Sequence, residues 1–301
     1  MYKVLIIGFG SIANKYGKNL NLNVSHYNAI KNSRNFKLVA IVDNKKVICK
    51  DYPCYKDYNI AIKKHKPDII VLSTPTKSHF SILKKIIKFK KIKIVLCEKP
   101  FTENYLQAQK IKKLFKNSKT KIFINYMRNT DYMFSNIIHK YFKGKQVNGF
   151  VFYNGTTLNF ASHYISLLVK YFGKVTNIRI IDGVKNNNFI LKFKKAKFTF
   201  FSNLEFNNFY ERLEIFNMDY FFLYNNGGAA MEIRKLIQNK IYGKKIFYKT
   251  IFSKNNKFYS NSQEYVFKEL YKELKHKKKC SLPSLDIGIE VHKTLNLINN
   301  G

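Results

Sequence analysis

A chain of 301 residues with 46% apolar side chains has the length for two domains, or one large one, and enough apolar content for a proper core. No apolar run reaches the ~18–20 residues of a membrane span, and the N-terminus enters a strand directly, without a signal-peptide pattern. Its 55 Lys+Arg stand against 18 Asp+Glu, a formal net charge of +37, yet only five of the basic residues are Arg (Arg34, Arg128, Arg179, Arg212, Arg234). The lysines are spread along a chain also rich in Asn, Ile, Phe and Tyr, a set that AT-rich coding favours. The charge therefore reads as compositional drift: nucleic-acid and membrane partners are not expected, while an anionic substrate fits. The four cysteines (Cys49, Cys54, Cys97, Cys280) form no CxxC pair, which argues for reduced thiols in the cytoplasm and against a disulfide frame or a metal site.

The first predicted strand, Lys3–Ile7, runs straight into Gly8-Phe9-Gly10-Ser11-Ile12-Ala13. This is the G-x-G-x-x-A dinucleotide pattern: Gly8 for the tight turn, Gly10 for close approach of a pyrophosphate, Ala13 for helix–strand packing, with free N–H groups from Ser11 onward to hold phosphate. A second strand, Phe36–Val42, ends in Asp43. A carboxylate there accepts from ribose hydroxyls and repels a 2′-phosphate, which favours NAD(H). Lys45 and Lys46 follow and suit that phosphate, so NADP(H) stays open; Asp43 reads equally as a turn residue. The polar Asn19–Ser25 stretch lengthens the connection to a short helix near His26–Lys31.

Ile69–Ser73 is the next buried strand, leading into Thr74-Pro75-Thr76-Lys77-Ser78-His79. Ser78 is expected to cap a helix over Phe80–Phe89, and His79 to face the cofactor or act as a capping residue. The run Ile92–Leu96 ends in Cys97-Glu98-Lys99-Pro100. Beyond the carboxyl end of such a strand Lys99 reaches the floor of a ligand cleft, with Pro100 stiffening the turn, and a half-buried lysine is a plausible acid/base group. A helix (Thr102–Lys116), a strand (Lys121–Asn125) and Tyr126-Met127-Arg128 complete an alternation that means βαβ units and a doubly wound parallel sheet. Tyr126 and Arg128 are candidate substrate contacts, the arginine suiting an anionic group.

After a linking helix, Tyr132–Phe142, the period shortens to two. Strands are expected at 147–153, 176–182, 188–193, 197–203, 212–217, 220–224, 230–234 and 245–252, joined by turns such as Lys194-Lys195 and Asn225–Gly228. A helix from Gly155 to Gly173 interrupts them; Ser262–Lys275 and Leu285–Ile298, the latter capped by Ser284, close the chain. The expected fold is an α/β Rossmann domain over 1–125 and an α+β domain with a mostly antiparallel sheet over 126–301, its last helix folding back onto the first domain.

The succession Gly8/Gly10/Ala13, Thr74-Pro75…His79, Glu98-Lys99-Pro100 and Tyr126…Arg128 resembles the Gfo/Idh/MocA oxidoreductases, the relatives of glucose–fructose oxidoreductase and inositol dehydrogenase. The resemblance runs end to end, strong over 1–128 and patchy over 144–301. It implies a nicotinamide cofactor held by the glycine turn (with Ser11 and Ile12), Asp43, Ser73, Thr74, Pro75, His79 and the Glu98-Lys99-Pro100 corner. It implies that Lys99 sits beside the nicotinamide and the reacting oxygen of a sugar, sugar-nucleotide or cyclic polyol substrate, in a cleft between the domains. It also implies a homodimer or homotetramer through the second sheet, and an association with surface-polysaccharide sugars. The stretch Asn159-Phe160-Ala161-Ser162-His163-Tyr164-Ile165-Ser166 resembles the family's D-x-x-x-H-x-x-D helix, which makes His163 a second catalytic candidate. Asn159, expected on the same face and a candidate substrate contact, and Ser166 stand where the family has aspartates. Two other readings follow: a cofactor-binding regulator without turnover, or a basic protein of nucleic acid or membrane surfaces.

Overall fold

The computed structural model describes all residues but 18–21, 46–48, 50, 182–187, 203–210, 240, 242, 244 and 301, and only the backbone of 245–247 and 300. Expectations that fall on Asn19–Asn21, Lys46, Asp182 and Asn203 lie outside the described residues. Contacts divide the chain into two units, Met1–Thr130 with Ser260–His292, and Asp131–Tyr259 with Lys293–Gly301. Among the described residues no helix is long and apolar enough to cross a membrane.

The first unit is built on β1 (Tyr2–Ile7), β2 (Phe36–Val42), β3 (Cys54–Tyr55), β4 (Ile69–Leu72), β5 (Ile94–Cys97) and β6 (Lys121–Ile124), a parallel sheet in the order β3-β2-β1-β4-β5-β6. β4 and β5 are buried at every position, as strands covered on both faces must be. The order reverses between β1 and β4, the switch point where an open α/β sheet leaves a crevice at its carboxyl ends. Helices α1 (His26–Lys31), α2 (Tyr58–His65), α3 (Thr76–Ile86) and α4 (Tyr105–Phe115) connect the strands, three of them started by a side-chain cap from Ser25, Asp57 or Asn104. Basic residues end several helices, Lys84 and Lys85 on α3 and Lys112 and Lys113 on α4, where they complement the carbonyl end of the helix dipole.

Two helix starts differ from the sequence expectation. α3 begins at Thr76, because Pro75 sits at the cap position and the Ser78 hydroxyl, inside the first turn, donates to Thr74 Oγ1 at 2.7 Å instead of capping a later start. α4 begins at Tyr105, since Asn104 is the better cap and its Oδ1 accepts the Gln107 N–H at 3.0 Å. β3 and α2 were not expected: β3 has two residues, and α2 buries only Ala61 and Ile62.

The chain returns to this unit with α7 (Ser262–His276), whose Val266, Phe267 and Leu270 share a core with Val4, Ile6, Phe36 and Leu38. Beyond α7, Pro283 O accepts the Ile124 N–H at 3.0 Å and Ser284 bridges Phe123, placing the start of α8 (Leu285–Asn300) beside β6.

The second unit opens with α5 (Tyr132–Ile137), extended by a π-helical turn over Ile138–Phe142. Asp131 starts it: Oδ1 accepts the N–H groups of Met133 and Phe134, and Oδ2 accepts from Tyr224 O–H at 3.2 Å and Asn256 Nδ2–H at 2.8 Å. The strands β7 (Val147–Tyr153), β8 (Val175–Ile180), β9 (Phe189–Phe193), β10 (Ala196–Ser202), β11 (Arg212–Phe216), β12 (Tyr220–Asn225), β13 (Ala230–Gln238) and β14 (Lys245–Asn255) form one sheet, in the order β14-β13-β12-β11-β7-β10-β9-β8. Sequential hairpins account for β8–β10 and β11–β14, but β7 inserts between β11 and β10 and pairs in parallel with β10. α6 (Ser162–Phe172) fills the crossover that this placement demands. One face of the sheet packs inward; the other carries a row of half-buried rings, with Phe150 and Phe152 stacked against Phe201 at 6.3 and 5.5 Å and Phe216 against Phe221 at 6.3 Å.

Two buried groups make stability depend on pH in opposite senses. Burial lowers His292 from 6.5 to about 4, and its Nε2 accepts the Thr102 N–H. Its contribution is complete above pH 6.5 and lost as pH falls towards 4. Burial pushes Asp131 from 3.8 up to about 6, so its contribution is complete below 3.8 and lost as pH rises through about 6. In urea unfolding between pH 7 and 4.5, His292→Gln, which keeps an acceptor for Thr102, is expected to lose up to about 3 kcal/mol less stability than the parent. An identical acid slope in the two proteins would count against a buried neutral His292.

Candidate functional site

The carboxyl ends of β1, β2 and β4 are stitched into one edge. At Gly8 the chain turns with φ +91°, and a Cβ there would lie 2.6 Å from Ser73 C and Thr74 N, so the turn admits only glycine. Ser73 N–H donates to Ile7 O at 2.8 Å and Ser73 Oγ to Gly8 O at 2.7 Å, closing β4 onto the turn. Asp43, at the end of β2, accepts the Phe9 N–H through Oδ2 at 2.7 Å and the Lys45 N–H through Oδ1 at 2.9 Å. Gly10 differs from Gly8: a Cβ on it would meet nothing within 4 Å. Its surroundings are open space, the condition for a ligand to lie against the backbone. The helix expected after it is a five-residue π-helical turn, Ser11–Lys15, with Ala13 fully buried against the sheet and Ser11 exposed.

Behind this edge, His79 is fully buried in α3. Its ring was expected to face the cofactor or to cap or pack; Nε2 lies 2.8 Å from Thr74 O and Nδ1 3.2 Å from Phe101 O, with Cys97 Sγ at 3.5 Å. An Nε2–H donating to Thr74 leaves Nδ1 to accept from the Cys97 thiol, a neutral arrangement consistent with burial lowering the His79 pKa and raising that of Cys97. The ring thus ties the loop after β4 to the corner after β5 from beneath.

That corner holds Glu98, Lys99 and Pro100, with a cis Lys99–Pro100 peptide. Glu98 is buried, Lys99 half-buried. Glu98 Oε1 lies 2.8 Å from His26 Nε2 and 2.6 Å from Asn125 Nδ2, and Oε2 accepts the Lys99 N–H at 3.3 Å. Asn125 Nδ2 also lies 3.2 Å from Gln263 Oε1, on α7. Burial alone would raise the Glu98 pKa; the His26 and Asn125 hydrogen bonds and the Lys99 charge reverse that and hold it below the usual carboxylate range. His26, Asn125 and Gln263 were not singled out in the sequence. The strand-end rule that located Glu98 would have found Asn125, just past β6; nothing local announces the other two.

The remaining candidates are placed as follows. Tyr126, just before the short helical turn Met127–Thr130, is fully buried, and Arg128, within it, nearly so. His163 and Asn159 belong to the second unit. Asn159 lies in a π-helical turn, Thr157–Ala161, capped by Thr156, whose Oγ1 accepts the Asn159 N–H at 3.2 Å. His163 is in α6, buried, whereas Asn159 is exposed. The four-residue step from Asn159 to His163 runs from this π-helical turn into α6. Among the described residues no group of three or more His, Cys, Asp or Glu side chains could hold a metal ion.

Residues 2–126 match the model of an oxidoreductase family with an NAD-binding Rossmann fold, Gfo/Idh/MocA. No curated protein matches the sequence. Solved structures match over nearly the whole chain. A dehydrogenase (MviM) from Clostridium difficile is 18% identical with a TM-score of 0.75, over 99% of both chains. The UDP-N-acetylglucosamine 3-dehydrogenase GnnA from Acidithiobacillus ferrooxidans is 10% identical with a TM-score of 0.74, over 99% of this chain and 97% of its own. An oxidoreductase from Agrobacterium radiobacter in complex with NAD+, L-tartaric acid and magnesium is 12% identical with a TM-score of 0.71, over 98% of this chain and 94% of its own. These likenesses show the same two-domain fold.

The open space at Gly10 fits a dinucleotide pyrophosphate, and the two glycines separate folding from binding. Gly10→Ala is expected to change the unfolding temperature little while weakening NADH binding by about tenfold or more, because its Cβ enters only the ligand's space. Gly8→Ala is expected to destabilise the protein by roughly 2–4 kcal/mol through its backbone clash. Thermal unfolding and NADH titration of both variants check this; equal binding by Gly10→Ala and the parent would remove the dinucleotide from this turn.

Proposed function

We propose that this chain, whose residues 2–126 carry the NAD-binding domain of the Gfo/Idh/MocA oxidoreductases, interconverts a secondary alcohol and its ketone on a sugar, sugar nucleotide or cyclic polyol. The observation that carries this reading is the corner after β5. It presents half-buried Lys99 from a buried, ionised Glu98 at the carboxyl edge of a doubly wound sheet, two strands from the open glycine turn. A sugar-nucleotide dehydrogenase with the same fold supports the substrate class. The +37 charge suits an anionic substrate.

The glycine turn, Asp43 and the Ser73–Pro75 loop would hold the cofactor. Asp43 favours NAD(H), because its carboxylate repels a 2′-phosphate. A bound nicotinamide supplies hydride exchange at the substrate carbon. The chain's own task is the proton: Lys99 polarises the substrate oxygen and exchanges its hydrogen, and His163, carried by the second unit, is the other titrating candidate. Asn159 can hydrogen-bond a hydroxyl but cannot take its proton. The second sheet's aromatic row, flanked by the Arg212–Glu214 and Arg234–Glu232 pairs, is the surface for self-association of two or four copies.

Titration with NADH and NADPH is expected to give saturable micromolar binding, tighter for NADH. In a screen of sugar nucleotides and polyols, Lys99→Ala is expected to keep that binding and lose turnover by about 10²-fold or more. Binding of either cofactor without turnover on any substrate would favour the regulator reading, and no binding of either would overturn the proposal. Light scattering tests the surface: Phe201→Lys is expected to reduce an oligomer to monomers, and an unchanged mass would exclude that face.

A further inference from the structure

We infer that His26 is a positioning residue for Lys99, acting through the carboxylate of Glu98; the inference rests on the reading of Lys99 as the acid/base group. His26 begins α1, the first regular helix after the glycine turn, and is fully buried, with its ring edge-on to Phe267. Its Nε2 meets Glu98 Oε1 at 2.8 Å. Its Nδ1 is buried with no partner in the structure. An unused lone pair costs less there than an unsatisfied N–H, which assigns the hydrogen to Nε2, donating to Glu98. Asn125 supplies the second donor to the same oxygen, and the other oxygen takes the Lys99 N–H. His26 therefore holds the side chain that holds the Lys99 backbone, and keeps a negative charge next to the lysine. The link also runs from the cofactor side of the fold to the corner of β5 within one buried pair.

The titrating groups that face Glu98 are His26 from α1, His79 from α3, and its own neighbours Cys97 and Lys99; each of the last three feels or exerts the Glu98 charge. Asn125 and Gln263, from beyond β6 and from α7, do not titrate. Without the His26 donor, desolvation acts on a carboxylate with one hydrogen bond fewer to oppose it, and Glu98 is held less firmly as an anion beside Lys99. The ammonium form of Lys99 is then less favoured.

The test is the pH midpoint of Lys99 reactivity in the free protein, read by trace acetylation and peptide mass spectrometry against exposed Lys63. His26→Leu and Glu98→Gln are each expected to lower the midpoint by about one pH unit, and the double variant to lower it no further. His26→Gln, whose amide reaches the Nε2 position, is expected to stay near the parent value. His26→Asn, whose donor cannot reach Glu98, should behave as His26→Leu does and serves if the leucine variant does not fold. A midpoint that moves in Glu98→Gln but not in His26→Leu or His26→Asn would reduce His26 to packing. A midpoint unmoved in Glu98→Gln would show that the carboxylate does not act on Lys99, and would overturn the inference. No cofactor or substrate enters the measurement, so it stands apart from the turnover loss that tests Lys99 itself.

Discussion

An ionised carboxylate removed from water must be surrounded by donors, and Glu98 sets that constraint at the carboxyl edge of the first unit's sheet. The donors arrive from three places: His26 on α1, Asn125 past β6, and the Lys99 backbone. Gln263 on α7 extends the set by bonding Asn125. Removing one partner from a buried charge costs about 3–5 kcal/mol, more than the pair contributes net, so the elements that carry these donors are held in register by each other. α7 is drawn in twice, through Gln263 and through Val266, Phe267 and Leu270 in the core, which is why a helix from the far end of the chain joins the first unit.

The same logic builds the rest of the carboxyl edge. Gly8 is required because Ser73 and Thr74 press against it; Asp43 is oriented because Phe9 and Lys45 supply its hydrogens; His79 is fixed because the Thr74 carbonyl accepts from Nε2 and the Cys97 thiol lies against Nδ1. The Phe9–Asp43 and Ser73–Gly8 bonds each join two strand ends, with the space left at Gly10. Preorganisation of this kind lowers the ordering cost of binding.

Much of the first unit was legible in the sequence because parallel strands buried on both faces are continuous apolar runs. Two glycines and a Glu-Lys-Pro corner then mark what their ends do. Helix starts were less legible: Ser78 competes with Pro75 as a cap, and the helix expected from Thr102 starts only after Asn104. α2, with two buried residues, has almost no periodic signal. In the second unit the alternation of two revealed the strands but not that β7 inserts between β11 and β10, since pairing order depends on contacts far apart in sequence. π-helical turns at Thr157–Ala161 and Ile138–Phe142 stand where the sequence pattern gives continuous regular helix. His26 has no local signature at all; its meaning appears only with Glu98 beside it.

The acidic residues show how so basic a chain keeps its fold. Among the described residues, Asp43, Asp57, Asp68, Glu98, Asp131, Glu211, Glu269 and Glu273 accept hydrogen bonds from backbone N–H groups or from buried donors. A surface carboxylate can be replaced by lysine at little structural cost, because exposed ion pairs are worth little. One that receives a backbone hydrogen cannot. The carboxylates bonded in this way hold loops, caps and cores. Asp43 is among them, and its two backbone donors account for the carboxylate without any ligand. One carboxylate therefore closes the turn and carries the proposed preference for NAD(H).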